Sequence, residues 1–164
     1  MMNEETFFKI IASTLTHTSL ENDIAYDTFL IQQLTQKKDS EIAQFHLRLL
    51  SLQKTLDTFE INKVARKLGF YSSREVYNRF CNGIIASGKY FYKQSMGDKD
   101  FLMTKLEKNP SELKQLYYEG FSLVSSAAFY EKKGIDANWD SFLRNEKRLL
   151  ELQTKEEKNQ ELER

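Results

Sequence analysis

The chain has one cysteine, Cys81, and one proline, Pro110, among 164 residues. A lone cysteine excludes an intrachain disulfide framework and a cysteine-built zinc cluster. Proline and glycine are too scarce for a linker-rich or disordered chain. No apolar run approaches the ~20 residues that cross a bilayer. The start, Met-Met-Asn-Glu-Glu-Thr-Phe-Phe, is acidic before it is apolar, unlike a secretory leader, and a cytoplasmic location is the default expectation. The two histidines, His17 and His46, lie far apart and outside any paired ligand motif. There is no glycine-rich phosphate loop and no Gly-x-Ser-x-Gly elbow. An enzyme is therefore not expected, and neither is a metal or a cofactor. Net charge is also missing, with 24 basic groups against 24 acidic ones. That excludes a uniformly basic nucleic-acid binder.

What is present is helical patterning from end to end, at a length suited to one domain with its own core. The expected fold is all-α: a single-domain bundle of about six or seven helices over residues 1–152. Residues 153–164 are expected to form a polar helical extension or a frayed tail. Phe7, Phe8, Ile10, Ile11 and Leu15 mark a first helix. Thr18-Ser-Leu-Glu21 has the form of a capping box for a helix over about 20–36. Ile42, Phe45, Leu49, Leu52, Leu56 and Phe59 recur at spacings of three and four, which puts one stripe on one helix face. A second capping box, Ser72-Ser-Arg-Glu75, with Tyr71 and Val76 as its hydrophobic staple, opens a helix predicted to reach about Gln94. Gly83 and Gly88 within it mark a bend or a close contact. A short helix is expected around Phe101 to Leu106. Asn109-Pro-Ser-Glu112 is the clearest start signal, for a helix predicted to end at Gly134. Trp139, Phe142, Leu143, Leu149, Leu150 and Leu152 belong to the last helix.

The charge is unevenly placed. Residues 1–60 carry five basic and nine acidic groups, residues 61–99 eight and two, and the remainder 11 and 13. The differences are −4, +6 and −2. The basic segment overlaps Thr58–Phe80, which reads as a short helix, a glycine-pivoted turn and a second helix. Ala65 stands four residues before Gly69, small where two helices meet, and Gly69 can take the left-handed conformation that ends the first. This segment resembles helix-turn-helix DNA-binding units, and is nearest in wording to the AraC type. Val64, Ala65, Leu68, Gly69, Phe70, Ser72 and Phe80 match the pattern. A full domain of that family carries two such units, whereas one is found here, and Val76 stands where an aromatic is usual. The resemblance implies a second helix in the major groove, with Val76 and Phe80 inward. Arg74, Asn78 and Arg79 would then face base edges, and Lys63, Arg66 and Lys67 would contact phosphate. The implied protein is a small regulator that binds duplex DNA.

The same Leu-Gly-Phe-x-Ser connector also serves an ordinary helical hairpin. A noncatalytic adaptor working through protein–protein contacts is the alternative, and the aromatic content of 13% suits it. A homodimer is compatible with either. Lys89-Tyr-Phe-Tyr-Lys93 interleaves cations and aromatics, but burial of Phe91 between amphipathic tyrosines is the favoured reading over base stacking. His46 is expected at a core edge with its hydrogen bonds satisfied, Asp23 and Asp27 on a solvated face, and Cys81 as a buried structural thiol.

Overall fold

The computed structural model describes residues 1–108 and 116–162. Among the described residues the chain is all α-helical, with nine helices and one 3₁₀ turn and no strand. The helices are α1 (Glu4–His17), α2 (Asp23–Thr35), α3 (Asp39–Leu56), α4 (Phe59–Lys67), α5 (Arg74–Ala86), α6 (Lys89–Gly97), α7 (Phe101–Lys108), α8 (Val124–Lys133) and α9 (Trp139–Leu162). The 3₁₀ turn is Gly120–Ser122.

The count exceeds the six or seven expected because the predicted long helices divide. The one predicted to reach Gln94 stops at Ala86. Gly88 takes φ +101°, a left-handed conformation open to glycine, and α6 begins beyond it. The helix predicted to end at Gly134 starts at Asn109–Glu112, outside the described residues. From Leu116 to Glu119 it is irregular, and only the 3₁₀ turn and α8 follow. The first capping box is also not used. Thr18 instead ends α1, its N–H and hydroxyl both donating to the Thr14 carbonyl at 2.9 Å. Asn22 caps α2 by accepting the Ala25 N–H at 3.0 Å.

α3 is the hub, packed on by α1, α5, α8 and α9. Ile42, Phe45, Leu49, Leu52 and Leu56 are all buried. The stripe fails at Phe59, which is 76% exposed. α3 ends at Leu56, so Phe59 belongs to the first turn of α4 and its phase is reset. The centre of the core is aromatic. Phe7 stacks on Phe45 with centroids 4.5 Å apart, and Phe121 from the 3₁₀ turn approaches Phe7, Tyr26, Phe45 and Tyr118. Full burial of side chains this large contributes about 1.5–3 kcal/mol each. Tyr26 donates its hydroxyl to the Ala86 carbonyl at 2.9 Å, which ties α2 to the end of α5.

Residues 116–122 lie across α5. The Tyr118 N–H donates to the Arg79 carbonyl at 3.2 Å. Buried Asn82 donates to Ser122 at 3.0 Å and to the Tyr118 carbonyl at 3.4 Å, and accepts from Gln53 of α3. This close crossing is possible because residue 83 is glycine: a Cβ there would lie 2.0 Å from the Leu116 carbonyl oxygen.

Other local readings shift as well. Tyr92, not Phe91, is the buried aromatic of the Lys89–Lys93 run. Phe91 is half-buried against Phe101, and Tyr90 is exposed. His46 does sit at the core edge, its ring 5.7 Å from Trp139, but its Nδ1 has no hydrogen-bond partner among the described residues. Burial pushes its pKa down. Asp27 is half-buried rather than solvated. Burial first, then neighbouring Asp23, raises its pKa to about 6.

Candidate binding surfaces

The Thr58–Phe80 corner is built by local rules. The Thr58 hydroxyl accepts the Ile61 N–H at 3.3 Å and starts α4. Ile61, Val64 and Ala65 face the core, while Lys63, Arg66 and Lys67 are exposed along the opposite side. Gly69 takes φ +82°. Phe70 N–H bonds the Ala65 carbonyl at 2.8 Å and Gly69 N–H the Arg66 carbonyl at 3.2 Å, the paired bonds of a Schellman ending. Phe70 then stacks on Phe80 at 5.3 Å and on Tyr117 at 5.8 Å.

α5 is capped by Ser73 rather than by a Ser72–Glu75 box: Ser73 Oγ accepts the Val76 N–H at 3.2 Å. Its inward face is Tyr77, Phe80, Cys81 and Ile84, while Val76 is half-buried. The staple expected between Tyr71 and Val76 is replaced by a Tyr71–Tyr77 ring contact at 5.1 Å. Tyr77 thus joins Phe80 and Ile84 on the inward face, and residues 116–122 cover the side of α5 that carries Arg79, Asn82 and Gly83.

This covering segment decides what Arg79 can reach. Arg79 has only 23% of its side chain exposed. It donates to the Tyr117 hydroxyl at 2.7 Å, pairs with Glu119 at 2.9 Å and also pairs with Glu75. Arg74 is 62% exposed and pairs with Asp57 at 2.7 Å. Its guanidinium, helped by the Asn62 amide, holds the Asp57 carboxyl below the usual carboxylate range. Asn78 is half-buried. Arg66 lies 3.9 Å above the Tyr71 ring centroid. Of the six residues singled out in the sequence, Lys63, Arg66, Lys67 and Arg74 are exposed, whereas Arg79 is engaged by its own chain. Cys81 is buried, and burial pushes its thiol up to about 12, which makes it a poor nucleophile.

A second surface was not read from the sequence. α9 packs on the core through Trp139, Phe142 and Leu143 and runs on beside the outer side of α3, leaving a trough of about 800 Å³ between them. Leu47 and Leu50 of α3, Leu143 and Leu150 of α9, and Met1 form its apolar floor. Leu50 is 45% exposed there. A faint signal existed in the sequence: Leu47 and Leu50 lie off the Ile42–Leu56 stripe at a helical spacing of three. Nothing in the sequence placed α9 opposite them.

The molecule is thus an all-α protein with two candidate binding surfaces. Among the described residues, no group of three or more His, Cys, Asp or Glu is placed to hold a metal ion, and no helix is long and apolar enough to cross a membrane. The family model for a protein of unknown function, DUF4240, matches residues 2–131, and the chain belongs to that family. The match includes the Thr58–Phe80 corner and ends before α9 begins. No curated protein and no solved structure matches the chain significantly.

Proposed function

We propose that the protein is a noncatalytic helical adaptor that acts through protein–protein contact at the α3–α9 trough. The supporting observation is the apolar floor itself, with Leu50 left 45% exposed on a helix whose other face is the centre of the core. An apolar floor framed by polar and charged groups has the anatomy of a protein–protein contact, an apolar centre inside a polar rim. A photo-reactive residue in place of Leu50 is expected to crosslink a protein partner in native cells. Position 149, which is exposed but does not line the trough, serves as the control. Adducts no more abundant at position 50 than at position 149 would reject the adaptor reading.

A second reading, a regulator binding duplex DNA through a helix-turn-helix at residues 58–80, draws on a separate observation. Lys63, Arg66 and Lys67 are exposed on one side of α4, and Lys63 and Lys67 form no ion pair among the described residues. Against it, both arginines of α5 are matched to carboxylates, which uses donors that base reading needs. On this reading affinity for mixed-sequence duplex falls steeply with salt. Lys67→Ala weakens all sequences alike, while Arg74→Ala or Asn78→Ala costs about 1–3 kcal/mol on a preferred site. Fluorescence anisotropy at low salt tests it. Absence of binding by folded protein at tens of micromolar rules it out, because non-specific binders retain affinity in that range.

A further inference from the structure

We infer that the occupant of the α3–α9 trough is an acidic amphipathic helix of another protein, an inference that rests on the adaptor reading. The whole chain is neutral, but the trough is not. Lys54, Arg144, Lys147, Lys155 and Lys158 line it against Glu151 and Glu157, a local excess of three positive charges. Among the described residues, none of these five cations is held in an ion pair. Long basic side chains can lay their stems along the apolar floor and keep their charges at the rim. The surface therefore combines leucine contacts with cations that no carboxylate pairs among the described residues. A helix with apolar residues on one face and carboxylates flanking them complements both.

The dimensions agree. The α9 wall runs from Leu143 to Lys158, about 22 Å at the helical rise, or roughly four turns of a partner helix. Two helices wall the trough and its third side is open to solvent, which suits a helix laid in from outside. A free acyl chain gains most where it is enclosed on nearly all sides. A second copy of this chain packed trough to trough would bring cations against cations, and like charges at an interface oppose association.

The test uses the full chain and a fluorescently labelled 18-residue peptide with leucines on one helical face and glutamates flanking them. Two control peptides replace glutamate by lysine or scramble the order so that the leucines share no face. The acidic amphipathic peptide is expected to bind at least tenfold tighter than either control. Leu50→Asp should weaken it at least tenfold, and Leu149→Asp, on the far side of α9, should not. The double variant Lys147→Glu/Lys158→Glu should lose the acidic peptide and gain the lysine peptide. Circular dichroism on each variant separates lost binding from lost fold. Equal affinity for the three peptides, or indifference to Leu50→Asp, overturns the inference. So does a dimer of the chain alone that Leu50→Asp dissociates, or saturable binding of dodecanoate without binding of the peptide. If the peptides fail while the position-50 crosslink persists, only the acidic-helix chemistry is wrong. If the crosslink fails too, the adaptor reading falls with it.

Discussion

Gly83 has no room for a side chain. The atom a Cβ would strike is backbone, the Leu116 carbonyl oxygen, so neither partner can rotate away. Gly83→Ala should destabilise the protein by about 1–3 kcal/mol or more, seen as a lower denaturant midpoint. An unchanged midpoint would mean that the 116–122 segment does not hold its place on α5. Leu49 is fully buried in mid-stripe, and Leu49→Ala should cost about 2–5 kcal/mol. Asp27 has a different lesson. Its pKa is raised to about 6 by burial and by Asp23, and among the described residues one carboxylate oxygen has no hydrogen-bond partner. A carboxyl whose folded pKa is raised supports the fold while protonated. Its contribution is complete below the ordinary carboxylate pKa and is lost as the pH climbs through about 6. Asp27→Asn should therefore raise the melting temperature at pH 7, with the gain vanishing toward pH 4. A gain that persists at pH 4 would assign the effect to packing instead. His46 works in the opposite sense. Its folded pKa is lowered by burial, so its contribution is complete above the ordinary histidine pKa and is lost as the pH falls below it.

At the level of elements, the sequence was most legible where short-range chemistry acts alone. Thr58 caps α4, Gly69 ends it, and the stripe of α3 is buried through Leu56. Each of these depends on residues within one or two turns. Phase was less legible. In α5 the sequence offers Val76 and Tyr77 as adjacent apolar candidates, and the burial of Phe80 and Ile84 is compatible with either. The 116–122 segment, some 40 positions away, covers the Arg79, Asn82 and Gly83 side, and Tyr77 rather than Val76 is buried. α9 illustrates the same limit. Its residues from Glu151 to Leu162 are all exposed, yet Gln153, Thr154, Lys155, Glu157 and Lys158 wall the trough. Deleting the residues after Leu152 should leave the melting temperature nearly unchanged, because almost no buried apolar surface is lost. The same deletion should abolish peptide binding at the trough. A large fall in melting temperature would show that this part of α9 supports the fold.

For the whole molecule, one aromatic core reached by α1, α2, α3 and the 3₁₀ turn should unfold in one cooperative step. Trp139 is the only tryptophan and is buried against Phe129 and His46, where α9 meets the body. Its fluorescence should change at the same denaturant concentration as the far-ultraviolet helical signal. A tryptophan transition at lower denaturant would mean that α9 detaches before the core melts. By itself the sequence determined the helical class, the stripe of α3 and the Ala65–Gly69 corner, because capping and apolar periodicity are local and each residue's neighbours along the helix are known. Tertiary structure alone decided that Arg79 is spent on Tyr117 and Glu119, that Phe59 points outward, and that α3 and α9 leave a basic, apolar trough between them. Those outcomes depend on which helices meet and at what rotation, and that is set by packing between segments far apart in the chain.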